Sequence, residues 1–243
     1  MSAISIYPIA YISTPFDQKF GIPRQSQALS KARGKITFSE NINPQNACRG
    51  LEQFSHLWLS FVFHENMDAA YSDTVRPPRL GGNKKIGVFA SRSTFRPNPL
   101  GLSLVKNKGL NSQGELLVQG VDLLDQTPIV DIKPYIAYAD QPEFITKSAH
   151  DSTAVFSGYA EDKPDVKAVF IDNMVGESLK LIDKQIPDFS ALLINVLQQD
   201  PRPAYKRKQS DNKTYHISLY KHDIAWVVEQ NSIRVLKISM TKS

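Results

Sequence analysis

The chain has 243 residues, a hydrophobic fraction of 41% with 12 glycines, and a formal net charge of +5. This is an ordinary globular composition, long enough for one core and a second, smaller one, and it excludes fibrous and disordered classes. A single cysteine, Cys48, excludes a disulfide framework or a cysteine-rich metal site, and no apolar run approaches the ~18 residues of a membrane span.

Residues 1–13 lack a basic segment followed by an uninterrupted apolar run, so no signal peptide is expected and the expected location is the cytoplasm. Residues 4–12 form a β-branched and aromatic run broken by Pro8, as in an edge or first strand. The strongest strand pattern is 57–64. Leu57, Leu59, Phe61 and Phe63 alternate with Trp58, Ser60, Val62 and His64, and both sets stay largely apolar until His64. This predicts a strand covered on both faces, ending at a rim with His64 and Glu65. Further strands are predicted over 86–90, 102–106, 115–124 and 129–132, joined by the turn-rich strings RPPRLGGN, FRPNPLG and DQTP. Short strands with such joints point to a barrel or sandwich and away from a doubly wound sheet.

From 141 to 165 the pattern lapses into polar and small residues, read as a linker. Two helices follow. In 174–186, Val175, Leu179, Ile182 and Ile186 share a stripe. Asp188 can then cap a helix with Phe189, Leu192, Leu193, Val196 and Leu197 on its apolar face, ended by Pro201 and Pro203. Residues 214–220, 224–229 and 233–239 predict a three-stranded antiparallel sheet. The expected class is mainly β, with a barrel domain over 1–140 and a small α+β domain over 166–243.

The charge is unevenly spread. Between Arg76 and Lys108 stand eight basic residues (Arg76, Arg79, Lys84, Lys85, Arg92, Arg96, Lys106, Lys108) and no Asp or Glu. A second basic stretch holds Arg202, Lys206, Arg207, Lys208, Lys213 and Lys221. Clustered cations favour a polyanion through counterion release, the alternative being a solvated basic surface. The segment GVFASRSTFRPNPLG (87–101) interleaves Arg92 and Arg96 with Phe89 and Phe95, a pattern suited to stacking on unpaired bases. Asp122 and Asp125 are expected at one rim, with Asp131 further on. A carboxylate there can cap a turn, or hold a ribose hydroxyl, a cation or an exchangeable proton. P-loop, dinucleotide-fingerprint, nucleophile-elbow and HExxH motifs are absent. Residue chemistry alone therefore reaches a β-barrel for an anionic ligand.

Six strings carry the reading further: GIPRQ (21–25), RGLEQFSHLWLSFVFH (49–64), VRPPRLGGN (75–83), GVFASRSTFRPNPLGLS (87–103), VDLLDQTPIVDIKPY (121–135) and DPRPAY (200–205). Together they resemble the bacterial and archaeal tRNA methyltransferases that methylate N6 of N6-threonylcarbamoyladenosine beside the anticodon of threonine tRNA. The resemblance implies a single-sheet, non-Rossmann barrel, S-adenosylmethionine as cofactor, no metal, and a homodimer acting on the anticodon arm. It implies cofactor contacts at Pro23, Arg24, Gln25, His64, Glu65, Arg92, Leu102, Asp122, Leu123, Leu124 and Asp125. Catalytic roles then fall to Asp122, or to His64, as the basic group and to Arg92 as a carboxylate partner. Arg76, Arg79, Arg96, Arg202, Tyr205, Lys206 and Arg207 are expected on RNA. Gln126 stands where the family often has Gly, and Ser91 where Thr is common. The competing readings are a non-catalytic RNA-binding barrel and a metal-dependent hydrolase built on Asp122, Asp125 and Asp131.

Overall fold

The structure is a computed structural model that describes residues 4–23, 30–141, 158, 166–203, 206–207 and 213–241. Most of the expected linker lies outside the described residues. Six strands close into a barrel: β1 (Ala10–Ser13), β2 (Arg33–Phe38), β3 (His56–Val62), β6 (Leu100–Leu110), β7 (Leu116–Gln119) and β8 (Thr127–Pro134), in the order β1-β2-β7-β6-β3-β8. Between β3 and β6 an excursion carries the two-residue strands β4 (Thr74–Val75) and β5 (Ile86–Gly87), paired with each other. Single-turn helices α1 (Pro44–Ala47) and α2 (Ala137–Asp140) sit outside the barrel strands.

The barrel exists because one face of each strand is apolar. Ile12, Ile36, Leu57, Leu59, Val105, Leu116, Val118 and Ile129 are all buried, at 1% exposure or less. Each such side chain contributes about 1.5–3 kcal/mol on leaving water. Phe61 lies opposite Gly101, and a Cβ at 101 would stand 2.3 Å from the ring. Only glycine lets the ring cross the wall there.

Several strand bounds differ from expectation. The first strand begins at Ala10, because Ile4, Ile6 and Tyr7 are solvent-exposed and have no partner strand. β3 ends at Val62, and His64 opens a short 3-10 turn, so His64 lies just past the wall. Its outer set, Trp58, Ser60 and Val62, is half-buried, not covered. The strand expected over 86–90 gives way to a 3-10 turn at Val88–Ala90. β7 stops at Gln119 because Gly120, at φ +86°, turns its amide to Ala32 O (2.7 Å). Asp122 therefore follows the strand and does not close it. β2 was hidden in the sequence, its charged Arg33 and Lys35 facing outward.

The C-terminal unit packs α3 (Asn173–Gln185) and α4 (Phe189–Leu197) with β9 (Ala168–Ile171), β10 (Tyr215–Leu219), β11 (His222–Glu229) and β12 (Ser232–Met240). The sheet has four strands, ordered β10-β11-β12-β9, and β9 runs parallel to β12. The three-stranded expectation missed β9 because its parallel partner is distant in sequence. Asp172 caps α3 through Met174 N (3.2 Å). Asp188 precedes α4 in a left-handed conformation (φ 67°) without a side-chain cap, and its carboxylate pairs with Arg33 of the barrel instead. No helix among the described residues is long and apolar enough to cross a membrane.

Candidate functional site

Strand directions decide where the site lies. β1, β3 and β7 finish, and β2, β6 and β8 begin, at the same end of the barrel, as the registers Ile12↔Thr127, Ser13↔Lys35, Val62↔Leu100 and Arg33↔Gln119 require. Residues 14–23, 63–66, 97–99 and 120–126 therefore gather at one mouth. Four of the six family strings arrive there: the start of GIPRQ, the end of RGLEQFSHLWLSFVFH, the end of GVFASRSTFRPNPLGLS and the start of VDLLDQTPIVDIKPY.

Hydrogen bonds tie the mouth together. Beyond β7 the chain continues alongside β6, which brings Asp122 to buried Ser103. The Ser103 hydroxyl donates to Asp122 Oδ1 at 2.5 Å. Asp125 Oδ1 accepts from Thr14 N (2.8 Å), and the Asp125 amide donates to Phe16 O (2.7 Å). Thr14 Oγ1 donates to Leu123 O (2.9 Å). On the β3 side Phe63 N donates to Pro99 O (2.7 Å), and Lys19 Nζ reaches the Glu65 carboxylate (3.2 Å) and Asn66 Oδ1 (3.1 Å). Residues 14–23 therefore span the mouth from β1 to the end of β3.

The expected site residues distribute unequally. Asp122, Leu124, Asp125, His64 and Glu65 stand at the mouth, and Pro23 is buried where the spanning loop turns back. Arg24, Gln25 and Tyr205 lie outside the described residues. Leu123 is 1% exposed, so its side chain belongs to the core and only its backbone can face a ligand. Leu102 is 58% exposed on the outside of the wall, one face away from Ser103. Asp131 does not join Asp122 and Asp125. It lies opposite outward-facing Ser60 and pairs with Lys133. Gln126 adopts φ 60°, a left-handed conformation costing a non-glycine residue about 1–2 kcal/mol. Among the described residues no group of three His, Cys, Asp or Glu side chains is placed to hold a metal.

The arginines divide too. Arg76 and Arg92 are exposed on the excursion, with Lys84 and Lys85. Arg96, expected on RNA, folds back to donate to Ser91 O (2.9 Å) and Ser93 O (3.3 Å), stiffening its own loop. Arg79 is half-buried. Arg202, expected on phosphate, is 0% exposed. Its Nε and Nη2 bind Asp200 Oδ1 and Oδ2 at 2.8 and 2.7 Å, so it is a core residue. Arg207 is half-buried, donating Nε to Arg202 O (3.2 Å), and burial pulls its pKa down. Lys206 lies over the Tyr215 ring at 5.9 Å. Burial pushes the Cys48 thiol up, which disfavours the thiolate that a nucleophile needs.

Sequence reasoning missed Thr14, Phe16, Lys19 and Ser103. The Thr14–Asp125 contact joins residues 111 apart, and no local pattern announces it.

Comparison with known proteins shows which family the chain resembles. A family model described as the tRNA-methyltransferase O N-terminal domain matches residues 11–141, and the corresponding C-terminal domain matches 164–241. The chain is 40% identical over 242 residues to a tRNA (adenine(37)-N6)-methyltransferase of Escherichia coli (strain K12), covering 98% of this chain and 99% of that one. It is 39% identical over 237 residues to a putative S-adenosylmethionine-dependent methyltransferase of Pseudomonas aeruginosa, with 97% of each covered. A crystal structure of TrmO from Pseudomonas aeruginosa superposes with a TM-score of 0.79 at 32% identity, covering 98% of this chain and 99% of that one.

Proposed function

The chain belongs to the tRNA-methyltransferase O family, and on that premise we propose that it is an S-adenosylmethionine-dependent tRNA methyltransferase acting on N6 of adenosine 37, with N6-threonylcarbamoyladenosine in threonine tRNA as substrate. The observation that carries the reading is the meeting of the 14–23, 63–66 and 120–126 segments at one barrel mouth around the Ser103–Asp122 hydrogen bond.

The donor set fits such a cofactor. The mouth offers carboxylates for ribose hydroxyls and an ammonium group over an apolar floor of Phe16 and Leu123, and the excursion carries an exposed guanidinium, Arg92, for a carboxylate. When bound, S-adenosylmethionine would supply an electrophilic methyl group on a sulfonium, with the neutral sulfide as the leaving group. The protein's task is then positioning and one proton. The N6 lone pair is delocalised into the purine and the carbamoyl carbonyl, which makes the nitrogen a poor nucleophile and its proton more acidic. Asp122, held by Ser103, takes that proton as the C–N bond forms. His64, just past β3, is the second candidate base. Arg92 neutralises the methionyl or the threonyl carboxylate.

Arg76, Lys84, Lys85 and Lys206 grip the phosphates of the anticodon arm. Leu100 and Leu102, exposed beside half-buried Trp58 and Val62 on the outer wall, support a second copy covering that wall in a homodimer. The enzyme acts in the cytoplasm.

The test is transfer of a labelled methyl group to purified threonine tRNA with and without its threonylcarbamoyl group. Label should enter only the modified tRNA and survive a metal chelator. Tight tRNA binding without cofactor binding would support the RNA-binding barrel instead, and cleavage of the tRNA that a chelator abolishes, with no label transferred, would support the hydrolase.

A further inference from the structure

We propose that Ser218 and Asp17 are a positioning pair through which the C-terminal unit sets the loop spanning the barrel mouth, so that cofactor and tRNA binding are coupled. The inference rests on the reading of that mouth as the cofactor site.

Residues 14–23 are held from two sides. Towards the barrel they bind Leu123, Asp125, Glu65 and Asn66 through Thr14, Phe16 and Lys19. Towards the C-terminal unit, Tyr220 N, in the turn between β10 and β11, donates to Pro15 O at 3.0 Å. Ser218 Oγ, on β10, donates to Asp17 Oδ2 at 2.7 Å. Gly21 turns at φ +94° where a Cβ would stand 3.4 Å from Ile217 Cγ2 and 3.8 Å from Val196 Cγ1, so the loop's return lies against β10 and α4. Two further contacts, Lys31 N to Asn195 Oδ1 (3.0 Å) and Arg33 with Asp188, dock the same unit beside the mouth.

A loop fixed on both sides transmits position. The mouth's lining moves only if the C-terminal unit moves with it, and the reverse holds. Ser218 is 9% exposed while Asp17 is exposed. The pair fixes the loop two residues from Lys19, on the chain leading to Pro23. A hydroxyl bound to a carboxylate is among the stronger neutral-to-charged hydrogen bonds, and its loss corresponds to roughly tenfold in an equilibrium constant. Coupling of this kind is reciprocal: if tRNA held by the C-terminal unit favours the fixed loop, it tightens the cofactor by the same factor.

Calorimetry on the full chain, titrating S-adenosylhomocysteine with and without threonine tRNA, tests this. In the wild type, tRNA should tighten S-adenosylhomocysteine. Ser218→Ala and Asp17→Ala should each weaken it by about tenfold. The double variant should be no weaker than either single one, and Ser218→Thr should restore wild-type affinity. The tightening by tRNA should shrink in both alanine variants. Unchanged affinity in folded Asp17→Ala, effects that multiply in the double variant, or a wild type indifferent to tRNA would each overturn the pair's role. So would a lowered thermal midpoint without a change in affinity. Should the wild type bind no S-adenosylhomocysteine at all, the functional reading itself fails first, and the two failures are told apart.

Discussion

Asp122→Asn should lower the turnover number by about two to four orders of magnitude, the range for losing a positioned base, with S-adenosylhomocysteine affinity staying within about fivefold. The substitution is chosen because it conserves shape. An amide oxygen at 122 still accepts the Ser103 hydrogen bond, so the site's geometry is kept and only the proton acceptor is lost. The effect should therefore appear in turnover and not in the Michaelis constant for tRNA, as expected for an interaction made in the transition state alone. Single-turnover methylation with saturating cofactor reads it directly. An unimpaired rate would exclude Asp122 as the base and leave His64, whose alanine variant would then carry the loss.

The second large effect is on stability. Arg202→Ala should destabilise the protein by about 3–5 kcal/mol, because it leaves a carboxylate buried opposite a void. The ion pair it breaks is enclosed: the side chains of Arg202 and Asp200 are 0% and 5% exposed, and Lys167 stands 4.0 Å away at the rim. For a chain of this size such a loss corresponds to a fall in thermal midpoint of roughly 10 °C. A surface phosphate contact predicts otherwise, with an unchanged midpoint, a higher Michaelis constant for tRNA and a shallower salt dependence. Thermal unfolding followed by tRNA titration over a range of salt separates the two.

The sequence carried the barrel, its strand-rich first half and the helix pair, because those depend on alternation and local punctuation. Its strings in order also pointed to segments that meet at the mouth, Asp122, Leu124, Asp125, His64 and Glu65 among them. Burial and partnership were not legible. Arg202 reads as a free cation in a basic stretch until Asp200, two residues earlier, is seen to close over it in a left-handed conformation (φ 46°). Leu123 reads as part of a binding string, but it fills the barrel. Asp122 was expected to end a strand. The true end is Gly120, whose amide turns to Ala32, a partner that no local pattern announces. The spanning loop was invisible for the same reason: Thr14 with Asp125 and Asp17 with Ser218 are contacts made only in three dimensions, 111 and 201 residues apart in sequence.

Mass spectrometry of nucleosides from threonine tRNA, in cells with and without this chain, bears most directly on the claim that the barrel mouth methylates N6 of a modified adenosine. Loss of the chain should abolish the N6-methylated form of N6-threonylcarbamoyladenosine and raise the unmethylated form by the same amount. The chain restored with Asp122→Asn should leave that profile unrepaired. Methylated nucleoside at wild-type level in cells lacking the chain would contradict the account.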